Sequence, residues 1–246
     1  MKKIILFAAT LEISYLALSF AIAQVYGQWS FLGEIIRTGL RVISLVFYGY
    51  VYRKYFYNPN HSFKAKELLT PQFIVAILLF LLFAVAYTNA ENETVLWQIV
   101  FVISGVTAGL REELFYRGIV QNTLQRKYGY KVALPVATLV FTLSHIQYMY
   151  YGQAGGLMLI TLAGIIFGSI FIYTGSIVFT AIIHGVYDAL LSVSIVPFRL
   201  SNSVVLPVLF LIMLAFLIII NKKLHGTRQA DNADDSSQDK TKIREP

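Results

Sequence analysis

An all-α, polytopic membrane bundle is the fold class this sequence predicts, on three observations. The chain has 246 residues, 57% apolar and 13% charged, with a mean hydropathy of +0.65. An average soluble domain is roughly 45–50% apolar and about 25% charged. A folded chain of this size still exposes much of its surface, so the apolar surplus must face a non-aqueous solvent. Soluble enzymes, secreted disulfide scaffolds and disordered chains are thereby excluded. The second observation is that eight stretches approach the ~20 apolar residues a spanning helix needs. The third is that lysine and arginine fall on alternate connections between those stretches, as cytoplasmic loops require. The +7 net charge is therefore a topology signal, with no nucleic-acid partner implied. The absence of cysteine excludes disulfides, thiolate metal sites and a thiol nucleophile.

The stretches are 4–23, 31–52, 71–88, 95–124, 132–150, 157–173, 177–196 and 204–220. The first follows Lys2-Lys3 and ends in Ala21-Ile22-Ala23, which also resembles a cleavable signal peptide. Glu12 interrupts its apolar run, and the run is long enough to span, so an uncleaved helix is preferred. The second is bounded by Arg53-Lys54. Thr70-Pro71 opens the third as an N-cap with proline at the first helical position. Arg126, Lys127 and Lys131 separate the fourth from the fifth. Thr174-Gly175 leaves room only for a turn between the sixth and seventh, making them antiparallel neighbours. Lys222-Lys223 closes the eighth. With Lys64 and Lys66, these basic clusters all fall on one side of about eight crossings. Glu91, Glu93 and Arg199 fall on the other. Residues 1–224 thus read as one helical domain with both termini cytoplasmic. Residues 225–246 are rich in Asp, Ser, Gln, Lys and Asn and read as a disordered tail.

Ionisable groups inside a bilayer cost a few kcal/mol on insertion scales and mark function by default. The spans hold Glu12; Glu34, Arg37 and Arg41; Arg111, Glu112, Glu113 and Arg117; His145; and His184 with Asp188. His61 and His225 fall in polar segments. Glu113 and Arg117 are four apart, the spacing that pairs side chains along an α-helix. Glu112 points about 100° away, with no charge three or four residues along. An unpartnered carboxylate in a dry setting is a stronger base than a solvated one. His145 lies about 20 Å and His184 about 10 Å from the cytoplasmic edge of their helices, at ~1.5 Å per residue. Glu112 falls between them, so the three converge near the midplane of a ~30 Å core.

Glu112-Glu113-x-x-x-Arg117, Phe141-x-x-x-His145 and His184-x-x-x-Asp188 resemble, in order and spacing, the three motifs of the CPBP family of intramembrane proteases. That family, also called Abi, joins type II CAAX prenyl endopeptidases to bacteriocin-processing and self-immunity proteins. The resemblance covers about 95–196 and implies a catalytic core built from helices 4–7. It implies that Glu112 and His145 activate a water for attack on a peptide carbonyl. It further implies that His184 and Asp188 stabilise the oxyanion and that Glu113 and Arg117 support the site. CAAX endopeptidases usually carry asparagine where this chain has Asp188. An ionised carboxylate repels an oxyanion, so Asp188 has to be protonated or to orient His184. Bacterial members are similar to this chain in tolerating aspartate.

The residue types alone support the same chemistry, since a carboxylate with a histidine deprotonates water and a second histidine donates to the tetrahedral intermediate. His145, His184 and Glu112 or Asp188 also match a two-histidine, one-carboxylate zinc set. The metal-free reading, with no cofactor, is preferred. His-Glu-x-x-His and Gly-x-Ser-x-Gly are both missing from the sequence. Glu34, Arg37 and Arg41 read as a structural charge network. The expected function is a bacterial, multi-pass cell-membrane endopeptidase cutting a membrane-associated peptide or protein. Prenylated CAAX protein, bacteriocin leader and pheromone precursor are all compatible substrates. The alternative is a non-proteolytic regulator or bacteriocin self-immunity protein acting through a membrane partner.

Overall fold

The computed structural model describes residues 2–57, 69–87, 94–193 and 201–242, and all its regular structure is helical. Each of the eight apolar stretches contains a helix. These are α1 (Lys2–Tyr26), α2 (Phe31–Tyr55), α3 (Pro71–Tyr87), α4 (Val95–Glu112) with its continuation, α6 (Tyr130–Leu143), α8 (Ala154–Thr174), α9 (Ile177–Leu191) and α10 (Asn202–Lys242). Two short helices, α5 (Asn122–Tyr128) and α7 (Gln147–Tyr150), complete the described set. Four segments are long and apolar enough to cross a membrane: Lys3–Tyr26, Val95–Tyr128, Ala154–Thr174 and Ser203–Lys223. Pro71–Ala86, Tyr130–Leu143 and Ile177–Leu191 are shorter apolar helices. The topology markers Lys64, Lys66, Glu91, Glu93 and Arg199, together with His61, lie outside the described residues.

Side-chain caps set several helix starts. The Phe73 amide donates to Thr70 Oγ1 at 3.4 Å, as the Thr-Pro pair predicts. Ser30, Thr94 and Ser176 accept from the amides of Gly33, Trp97 and Phe179, satisfying donors that have no partner within the helix. Gly175 closes α8 at φ +65°, a left-handed position that glycine adopts without steric cost.

Three elements differ from the sequence reading. The fourth stretch is not one α-helix: after Glu112 it continues as a π-helix, π1 (Glu113–Gln121), and then as α5. The fifth stretch breaks at Leu143, and His145 sits in a turn, not within a span. The Phe141 carbonyl, which would accept from the His145 amide in an α-helix, is instead taken by the Ser144 hydroxyl at 2.7 Å and His145 Nδ1 at 2.9 Å. The His145 amide turns to the Thr142 carbonyl. Side chains that compete for backbone groups in this way end helices. Finally, α10 runs on to Lys242, through most of the segment whose composition predicts disorder. A helix already nucleated in its apolar half propagates with one hydrogen bond per residue and needs no second nucleus.

The buried apolar residues form two clusters. One joins α3, α8, α9 and α10 around Phe73, Phe80, Phe167, Ile170, Leu209 and Phe216. The other joins α1, α2, π1 and α6 around Tyr48, Phe115, Tyr116 and Phe141. Between them, α4 and α9 run antiparallel in backbone contact. A Cβ on Gly109 would lie 2.7 Å from the Gly185 nitrogen and 3.0 Å from both Gly185 Cα and the His184 carbonyl carbon. Small residues permit such approach where no hydrophobic force drives helices together. Gly109→Ala is therefore expected to destabilise the bundle by about 1–3 kcal/mol, the usual range for overpacking. The thermal midpoint in detergent measures it.

A second charge network ties α1 and α2 to α4. Glu34 accepts from Arg37 at 2.5 Å and Arg41 at 2.5 Å, and also from the Ser104 hydroxyl. Arg41 Nε donates to the Tyr15 hydroxyl at 3.1 Å. Every charge here has an opposite partner, and the network joins three helices.

Candidate active site

The junction of α4 with π1 presents Glu112 and Glu113 in different directions. Glu113 and Arg117 are both 0% exposed, with Glu113 Oε2 3.4 Å from Arg117 Nε. The pairing expected from the spacing is present, although it forms on a π-helix. Such segments are rare and recur at functional sites. Arg117 Nη2 donates to the Gly164 carbonyl at 3.0 Å, and its guanidinium lies 4.9 Å from the Phe141 ring centre. Gln121, one π-turn further, donates to the Gly168 carbonyl at 3.0 Å. The π1 side chains are thus held against α8.

The other oxygen of Glu113 accepts from His184 Nδ1 at 2.9 Å. His184 Nε2 then faces Asp188 Oδ2 at 3.5 Å, one turn along α9. The imidazole is held between two carboxylates, and its ring stacks on Phe167 at 3.9 Å. Arg117, Glu113, His184 and Asp188 form one line of contacts from α8 across π1 to α9.

Glu112 faces a different group. Its Oε1 lies 3.9 Å from His145 Nε2. Because His145 Nδ1 is within 2.9 Å of the Phe141 carbonyl, a protonated Nδ1 donates there. That leaves Nε2 bare toward Glu112. A gap of this size between two acceptors suits a bridging water that donates to both. Glu112 also has a charge partner that the helical-spacing argument overlooks: Arg111 Nη1, from the preceding residue, lies 3.6 Å from Oε1.

Arg111 leads to the principal group that sequence reasoning missed. Its Nη2 donates to Glu12 Oε2, and its guanidinium lies 3.6 Å over the Tyr15 ring. Glu12 also accepts from the Tyr48 hydroxyl at 2.8 Å and the Tyr116 hydroxyl at 2.6 Å. Glu12 is 4% and Arg111 1% exposed. Two lone opposite charges in separate spans were the available signal, since neither is tolerable in a bilayer without the other.

All six residues predicted for the site, Glu112, Glu113, Arg117, His145, His184 and Asp188, are therefore brought together around the α4–π1 junction. Among the described residues, no group of three or more His, Asp or Glu side chains forms a set that could hold a metal ion. His184 Nδ1 is engaged by Glu113 and His145 Nδ1 lies at the Phe141 carbonyl, which leaves the Nε2 atoms of the two rings toward Asp188 and Glu112.

No curated protein and no solved structure is matched by the chain. Residues 93–190, which run from just before α4 into the last turn of α9 and contain every one of those six residues, match the family described as type II CAAX prenyl endopeptidase Rce1-like.

Proposed function

We propose that this protein is a metal-free intramembrane endopeptidase in which Glu112 is the general base. The observation that carries the reading is the facing pair of Glu112 Oε1 and the bare His145 Nε2 at 3.9 Å, beside a histidine gripped on both sides by carboxylates. A water donating to Glu112 and His145 keeps a lone pair directed at a peptide carbonyl carbon. Glu112 takes one of its protons as the carbon–oxygen bond forms, and the carbonyl electrons move onto oxygen. Doubly protonated His184 donates from Nδ1 to Glu113 and offers its Nε2 proton to that oxyanion. On collapse the carbon–nitrogen bond breaks and the amine leaves with the proton held by Glu112.

Asp188 suits this scheme as a positioning residue. It faces His184 Nε2 and favours the protonated ring, which answers the objection that a carboxylate would repel the oxyanion directly. The substrate is a membrane-associated peptide or protein, cut in a multi-pass cell-membrane enzyme whose basic loops are cytoplasmic.

Mass spectrometry of membrane peptides from wild-type and Glu112→Ala cells tests the reading. The wild type should contain a product, and the variant its uncut precursor. Identical profiles, with phenotype unaffected by the substitution, would instead point to a non-proteolytic partner protein. A chelator arm should leave cleavage unchanged; its abolition would restore the zinc set.

A further inference from the structure

Two carboxylates compete for one guanidinium at the base of the site. Arg111 is 1% exposed and lies between Glu12 of α1 and Glu112 of α4. Its contact with Glu12 is a direct hydrogen bond, whereas Glu112 stands off at 3.6 Å. Glu12 is fixed in turn by two phenol hydroxyls, Tyr48 from α2 and Tyr116 from π1. The Arg111 guanidinium also lies 3.6 Å over the ring of Tyr15, a second residue of α1. Each part of this arrangement draws Arg111 away from Glu112.

A base that forms a full bidentate pair with arginine has its lone pairs occupied and its charge neutralised. Glu112 avoids that outcome only while Glu12 keeps the guanidinium. We propose that Glu12, on a helix outside the family-matched segment, is a positioning residue that withholds Arg111 from Glu112 and so leaves Glu112 available to water. The inference rests on the reading of Glu112 as general base. It also makes α1 a working part of the active site, since apart from Glu112 itself the carboxylate paired with Arg111 is the one that α1 supplies.

The experiment measures kcat and KM for reporter cleavage by the purified full chain in detergent or nanodiscs. Glu12→Gln keeps the size and one acceptor oxygen but gives up the charge that holds Arg111. It is expected to lower kcat by about 10- to 100-fold, the range for a partner once removed from the chemistry, with KM within about twofold. Glu12→Gln combined with Arg111→Gln removes the competing guanidinium as well and is expected to regain most of the lost kcat. A purely structural ion pair would also be relieved in the double variant, since buried pairs are often replaceable as units, but the thermal midpoint would then fall and recover together with kcat, whereas the proposal expects kcat to fall and recover at an unchanged midpoint. The proposal falls if Glu12→Gln keeps wild-type kcat, or if the double variant fails to recover. A Glu112→Gln arm separates the two ideas. If it cleaves as wild type does, or if wild type cleaves nothing, the protease reading fails and takes this one with it. If Glu112 is essential while Glu12→Gln is silent, only the present proposal is lost.

Discussion

Replacing Glu112 by glutamine should lower peptide cleavage by about 10²–10⁴-fold, the usual contribution of a positioned general base, while leaving the fold intact. Glutamine retains the volume of the side chain and one acceptor oxygen, but at neutral pH it takes no proton from water. The bundle has little reason to respond. Glu112 has a side-chain exposure of 13%, and its neighbours are at 3.6 Å and 3.9 Å, too far for direct hydrogen bonds that folding would miss. Arg111 keeps Glu12, and His145 keeps the Phe141 carbonyl. The expected signature is therefore a collapse in kcat at an unchanged thermal midpoint. His145→Ala should lose activity for the same reason, because it removes the second acceptor for the water. A variant in which activity and midpoint fall together would assign Glu112 to the fold and not to the chemistry.

Arg117→Met is expected to show the reverse, a structural loss of about 3–5 kcal/mol, as found when one member of a buried ion pair is removed. Both Arg117 and Glu113 are fully buried. Methionine fills much of the volume but strands the Glu113 carboxylate with His184 as its remaining hydrogen-bond partner, and leaves the Gly164 carbonyl without its donor. Glu113→Gln with Arg117→Met removes both charges, and so should cost less than Arg117→Met alone, since buried pairs are often replaceable as units. Chemical unfolding of the three proteins in mixed micelles measures the difference. A double variant worse than the single one would mean that the charge of Glu113 is needed by His184 more than by Arg117.

Much of this arrangement is legible in the sequence because membranes simplify the code. Charge is so expensive in a span that Glu112, Glu113, Arg117, His184 and Asp188 stand out, and their spacings carry the resemblance to the CPBP family. Helix positions follow from hydropathy, and the Thr70-Pro71 start and the Gly175 turn from local backbone chemistry. What stays hidden depends on hydrogen bonds that hydropathy does not report. The π-helix has the same residue composition as an α-helix of equal length. The break at Leu143 arises from the side chains of Ser144 and His145 competing for one carbonyl, within a run apolar enough to pass for a span. The bond between Glu12 and Arg111 joins residues 99 positions apart, which spacing rules along one helix never compare. Gly105, Gly109 and Gly185 are readable as small, but only the contact shows that backbones meet there: a Cβ on Gly105 would lie 2.9 Å from that of Asp188.

At Gly105, Gly109 and Gly185, α4 and α9 meet backbone against backbone with no side-chain layer between them, and on these packed backbones they carry Glu112, His184 and Asp188. His145 belongs to neither helix. It hangs on a three-residue turn between α6 and α7, anchored to its own strand of chain through Phe141 and Ser144. The proposed site thus rests on two kinds of support: its oxyanion side, His184 and Asp188, is carried by a helix packed backbone to backbone, and its water side is completed by a residue of a turn.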